Sequence, residues 1–238
     1  MRLFYQTVAG ISNVAVVITR VGMAPRAHGL DYEAFQEHWR SEHAALAGEI
    51  PGVRGYVQNH AVLAEGRPLL PYPGFDACSE LEFDSVEAMD EGFASDYYRG
   101  EVTTDEHSLI DKSRFALLLA ERRVLADGPV DGEAVKLLTF LPLDPRSTQE
   151  RLDEVLAGPY REVVAEGEPL RHEQLLELRS AHDGRIPAVC AAVDILWFAS
   201  AERAGGFAGG EIGHRAGYAL AGAAFGLERL VARPTRVV

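Results

Sequence analysis

Phe35-Gln36-Glu37-His38-Trp39-Arg40-Ser41-Glu42-His43-Ala44-Ala45-Leu46, closed by Pro51-Gly52 and followed by Tyr56-Val57-Gln58-Asn59-His60, is the stretch on which the fold turns. Phe35, Trp39 and His43 recur at i, i+4 and i+8, and Leu46 continues the row, so the first run predicts a helix with one apolar face. Asp31 is placed to cap it, and Pro51-Gly52 ends it near Ile50. The second run alternates residue by residue and predicts a strand over Val53 to Leu63. A helix followed at once by a strand is one half of a repeating pattern.

Outward from that pair the same grammar continues. Val14 to Val21 and Phe75 to Phe83 predict strands. Ser85 caps a helix from Val86 to about Tyr98, and a polar segment from Arg99 to Lys112 leads into a strand over Arg114 to Val124. The order is β-α-β-β-α-β. The Gly-, Pro- and Asp-rich segment 127–134 then predicts a linker. Val135 to Leu141, Thr148 to Glu166, Leu170 to Leu178, Val189 to Phe198, Ala201 to Phe225 and Leu227 to Arg233 repeat the order. Two α+β units of ferredoxin-like topology follow, 1–126 and 135–238. Each would bear helices on one sheet face, so the bare faces should pack against each other as a barrel within one chain.

Composition narrows the function. The 238 residues are 47% hydrophobic and 25% charged, with 36 acidic against 23 basic side chains and a formal charge of −13. That charge and the lack of a basic cluster argue against nucleic acid as a partner. The two cysteines, Cys78 and Cys190, form neither a disulfide framework nor a metal knuckle, and they suit a reducing compartment. Met1 to Ala24 is apolar enough to raise a signal peptide, but Ser12 and Asn13 interrupt it and Val14 to Ile18 favours a strand. No stretch is long enough to span a membrane. The expected location is cytoplasmic.

In the Val53 to Leu63 strand, Val53, Gly55, Val57, Asn59 and Ala61 share the smaller face, suited to packing under helices. Tyr56, Gln58 and His60 would then look into the barrel. Asp76, Cys78, Glu80 and Glu82 either join them there or face solvent; alternation alone leaves both readings open. The second half offers Leu152, Leu156 and Tyr160 where the first has Phe35, Trp39 and His43, with His172 and Gln174 near the places of Tyr56 and Gln58. It is expected to supply mainly apolar wall. Buried histidines often only satisfy a backbone group, so a structural role for His43 and His60 stands beside a functional one.

The run containing Trp39 and His43, Pro51-Gly52, Tyr56 to His60, and Leu81-Glu82-Phe83-Asp84-Ser85 resembles the EthD family. That family is named for a protein linked to ethyl tert-butyl ether degradation and belongs to the dimeric α+β barrel group. The resemblance covers about residues 13 to 125, including Asp105-Glu106 and Leu109-Ile110-Asp111; over 135 to 238 only the element order is similar. It implies a small-molecule pocket between helix and sheet, without fixing a reaction.

The leading expectation is a cofactor-independent isomerase, cyclase or lyase acting on a mostly apolar, enolisable substrate in a degradation or secondary-metabolite pathway. His60 is expected as general base, His43 as its partner and Asp111 as the group that fixes a tautomer. Trp39, Tyr56, Gln58, Asn59, Cys78 and Glu80 would bind the substrate. One alternative is a non-catalytic carrier of an apolar metabolite. Another is a haem or metal site using His43, His60, Cys78 and Glu80, although no tight ligand spacing supports a metal. Paired halves would make a monomer self-sufficient, with a homodimer left open by free sheet edges.

Overall fold

The computed structural model describes residues 17–182 and 185–238. Strands β1 (Ile18–Ala24), β2 (Gly55–Ala61), β3 (Ala77–Phe83) and β4 (Ala116–Asp127) belong to the first half. Strands β5 (Val135–Leu141), β6 (Arg171–Glu177), β7 (Ala192–Phe198) and β8 (Glu228–Arg236) belong to the second. Residues 14–16 of the first expected strand lie outside the described residues, and β1 runs on to Ala24.

Within each half the sheet order is fourth, first, third, second strand, the ferredoxin-like arrangement. The halves are also hydrogen-bonded to each other. In one seam β2 pairs antiparallel with β8, Val57 opposite Arg236 and Ala61 opposite Ala232. In the other β4 pairs with β6, Ala120 opposite Glu177 and Asp127 opposite Arg171, with a bulge between Val124 and Ala126. The two sheets close into one eight-stranded barrel. The free sheet edges expected from sequence are therefore consumed by the seams, which is how a β protein removes its edges.

Helix α1 spans residues 32–48. Asp31 caps it, accepting bonds from the backbone N–H of Glu33 (2.9 Å) and Ala34 (3.2 Å). Its middle turn, Trp39–His43, is π-helical, flanked by α-helical Tyr32–His38 and Ala44–Gly48. Such single π turns cluster at functional sites. Helix α2 (Val86–Ala94) follows β3. The segment expected to be an irregular lead into β4 is instead a second helix, α3, π-helical over Tyr98–Val102 and α-helical over Thr103–Leu109. Val102 and Leu109, seven residues apart, are both buried. Their spacing turns Asp105 and Glu106 toward the same covered face.

In the second half the expected single helix breaks at Gly158 into α4 (Gln149–Ala157) and α5 (Pro159–Ala165). The Gly-rich stretch likewise divides into α6 (Ala201–Gly209) and α7 (Glu211–Ala219). No helix among the described residues is long and apolar enough to cross a membrane.

Candidate functional site

The β2 alternation holds, but the two faces are the reverse of the expected ones. Tyr56, Gln58 and His60 lie beneath α1, while Asn59 reaches into the barrel. A closed eight-stranded barrel is only wide enough for side chains to fill it, so the smaller set goes inside. The larger set is taken up under the helix by Trp39, whose ring centroid is 4.5 Å from that of His60. The β3 face carrying Cys78 and Glu80 points into the barrel. The residues expected to form one site therefore lie in two layers, separated by the sheet.

Beneath α1, Gln58 is held twice, donating from Nε2 to the Trp39 carbonyl (2.6 Å) and to the Tyr56 hydroxyl (2.9 Å). Its Oε1 faces His60 Nε2 at 3.1 Å. Gln36 donates to the Asp76 carbonyl (3.2 Å) and offers Oε1 to His60 Nδ1 (2.7 Å). Both imidazole nitrogens of His60 are thus occupied by oriented amides. Burial, followed by the nearby Arg40 charge, lowers its pKa to about 4, so the ring is neutral at pH 7 although two facing oxygens favour a second proton. His60 therefore has both ring nitrogens engaged and its ring against Trp39, whereas the general base expected at this position needs a nitrogen open to a substrate.

His43 differs. Its Nδ1 meets Asp105 Oδ2 at 2.7 Å, and its Nε2 makes no hydrogen bond among the described residues. Asp105, supplied by α3, also bonds His38. Burial pushes the Asp105 carboxyl upward, but the bonds from His43 and His38 outweigh it and hold the group below its ordinary range. An acceptor at Nδ1 fixes the tautomer that leaves the Nε2 lone pair free.

His43 lines a cavity of about 40 Å³ between helices and sheet, together with Trp39, Tyr56, Arg20, Ser79 and Glu106. That is room for a few water molecules or a small polar group. Burial pushes the Tyr56 hydroxyl well above its ordinary pKa, so it remains a neutral donor.

Asp111, expected to orient a histidine, does not reach one. Its carboxylate bonds Ser113 Oγ (2.6 Å) and Arg114 Nε (2.8 Å) and lines a separate surface cleft with Arg26 and Asp76. The carboxylate that does reach a histidine nitrogen here is Asp105, on His43 and His38. Val102 and Leu109 bracket Asp105, but its run of polar neighbours reads as a solvated turn, so the sequence does not single it out.

Inside the barrel, Glu80 accepts from Lys136 (2.6 Å), Arg122 (2.6 Å) and Asn59 (2.8 Å). Arg122 reaches on to Glu173 at 2.6 Å. Burial would raise the Glu80 pKa, yet Lys136 and Arg122 hold it far below the usual carboxylate range. The Cys78 thiol is pushed up by burial and stays protonated. Asn59, Cys78 and Glu80 thus stand in an ionic network that joins the halves, away from Trp39 and His43.

The second half is less apolar than expected. Fully buried Asp194 accepts from Tyr160 (2.7 Å), His172 (2.7 Å) and Gln174 (3.1 Å). Among the described residues no group of three or more His, Cys, Asp or Glu side chains is arranged to hold a metal ion.

Comparison with known proteins places this geometry. No curated protein sequence matches the chain. Among solved structures, an anthrone oxidase-like protein aligns over 94% of this chain and 94% of its own, with a TM-score of 0.62 and 12% identity. A candidate monooxygenase from Fusobacterium nucleatum aligns over 94% of each chain, with a TM-score of 0.59 and 9% identity. A chlorite dismutase variant from Candidatus Nitrospira defluvii aligns over 93% of this chain and 92% of its own, at 0.54 and 8%. Identities this low establish the fold alone. The family model of the EthD domain matches residues 27–113, the segment that supplies α1, β2, β3, α2 and α3. Residues 27–113 carry the match to the EthD domain, and they lie within an eight-stranded α+β barrel that both halves of the chain build.

Proposed function

We propose that the EthD half, residues 1–126, is a small-molecule enzyme whose active site is the helix-side cavity, and that 135–238 completes the barrel beyond a linker at 127–134. The observation that carries this reading is the Asp105–His43 pair at the cavity wall. His43 Nε2 is the general base, removing a proton from carbon next to a carbonyl, and Asp105 stabilises the imidazolium that forms. The Tyr56 hydroxyl, which accepts from Gln58 and keeps its own proton free, is the neutral donor for an enolate oxygen. Trp39, braced by His60 and Gln58, supplies the apolar wall. The carbanion formed can be reprotonated at another position, close a ring or expel a group. The same first step would precede reaction with dioxygen of the kind suggested by the name of the anthrone oxidase-like relative.

Incubating the protein with a panel of enolisable ketones and lactones, with mass spectrometry and oxygen uptake as readouts, tests it. His43→Gln should lower turnover about 10²- to 10⁴-fold, the usual range for a lost general base. Ligand binding with no product from any member would favour the carrier reading.

A further inference from the structure

Arg20 is the one charged side chain on the floor of the helix-side cavity that the proton-transfer reading leaves without a task. It lies on the β1 face beneath the helices, its guanidinium carbon 4.3 Å from the centroid of Phe93 and 5.2 Å from that of Phe115. Among the described residues it makes no hydrogen bond and no ion pair. Elsewhere Arg26 pairs with Asp76 at 2.7 Å and Arg122 with Glu80 and Glu173, while Arg229 is held by the Ala208 and Gly213 carbonyls. Two aromatic faces attract a cation, but more weakly than water solvates it, so this half-buried guanidinium, with no anion beside it, is left short of full solvation. Burial lowers its pKa from the ordinary value, opposed by Tyr98 and Glu106.

Glu106 lines the same cavity but is already engaged by Lys112 (2.7 Å) and the Tyr98 hydroxyl (3.1 Å). The strand is also cleared around the guanidinium. A Cβ at Gly22 would come within 3.2 Å of Arg20 Nη1 and 3.0 Å of Ser79 Oγ. The space left over has the size of a carboxylate group, and His43 is on its wall.

We infer that the ligand of this cavity carries a carboxylate, held by Arg20 with its acidic C–H presented to His43. The inference rests on the helix-side cavity being the site. A guanidinium pairs with both oxygens of a carboxylate in a fixed plane, so it sets orientation as well as affinity. The substrate class is then an enolisable carboxylic acid rather than a neutral ketone.

Calorimetric titration with formate and acetate, against formamide and acetamide as neutral isosteres, tests this on the intact protein. The carboxylates should bind the wild type at least tenfold more tightly than the amides. Arg20→Gln should abolish that difference, Arg20→Lys keep part of it, and His43→Gln leave it largely intact, which separates a failed anchor from a failed base. A second readout covers a folding defect. Arg20→Met, which removes an unmatched charge, should melt at or above the wild-type temperature and lose the rise in melting temperature that acetate gives the wild type. Equal binding of acids and amides, carboxylate selectivity that survives in Arg20→Gln, or a strongly destabilised Arg20→Met would overturn the assignment.

Discussion

His60 and His43 both sit in the segment that matches the EthD domain, and what faces their nitrogens differs. His60 meets two fixed amide oxygens, whereas His43 meets one carboxylate and a cavity. No residue-by-residue pattern in the sequence carries that distinction, because Gln36, Gln58 and Asp105 arrive from three elements. Trp39 and His43 were legible as one face of α1; the placing of Tyr56 and Gln58 beneath it was not, and neither was Asp105, whose partners are distant in sequence. A pH consequence belongs to His60. Its pKa is lowered, so as pH falls from about 6.5 toward 4 the unfolded chain takes up a proton that the folded protein refuses. Stability is full above that window and falls through it, by about 3 kcal/mol at its acid end, at about 1.4 kcal/mol per pH unit. Urea unfolding at pH 7.0 and 4.5 should show this slope in the wild type and a shallower one in His60→Gln.

At the scale of elements, alternation in β2 and β3 gave two faces without saying which was inside, because strand period reports sidedness and closure decides direction. Helix α3 was hidden for a related reason. Its inward face mixes Val102 and Leu109 with Asp105 and Glu106, so the apolar stripe that marks a helix is broken where the chemistry sits. Helix α2 carries its own constraint. A Cβ on Gly92 would stand 2.3 Å from the Pro51 carbonyl oxygen, so the close approach of α2 to the Pro51-Gly52 turn requires glycine. Gly92→Ala should therefore destabilise by about 1–3 kcal/mol through overpacking, although alanine is the better helix former by about 1 kcal/mol. Chemical denaturation measures the sign directly; a stabilised variant would show that this packing is loose.

For the whole molecule, the repeated β-α-β-β-α-β order was readable because each unit has one bare sheet face and only a partner can cover it. The seams were not, since strand-edge pairing between β2 and β8 or β4 and β6 has no local signature. They join the halves through hydrogen-bonded strands, and the Glu80–Lys136 contact crosses between them with both groups buried. Lys136→Met should cost about 3 kcal/mol by leaving Glu80 short of a cation, and adding Glu80→Gln should recover much of it. Both variants should still unfold in a single transition with coincident fluorescence and circular dichroism; separate transitions would show that the halves fold apart.

The central claim is that chemistry resides under α1, at Asp105 and His43, and outside the barrel interior. Solvent deuterium incorporation into an enolisable carboxylic acid substrate, followed by NMR at pH 7 with wild type, Asp105→Asn and Glu80→Gln, tests it most directly. The account predicts exchange that falls at least 100-fold in Asp105→Asn, the scale of a lost acid–base contribution, and persists in Glu80→Gln. Undiminished exchange in Asp105→Asn, or loss confined to Glu80→Gln, would contradict it.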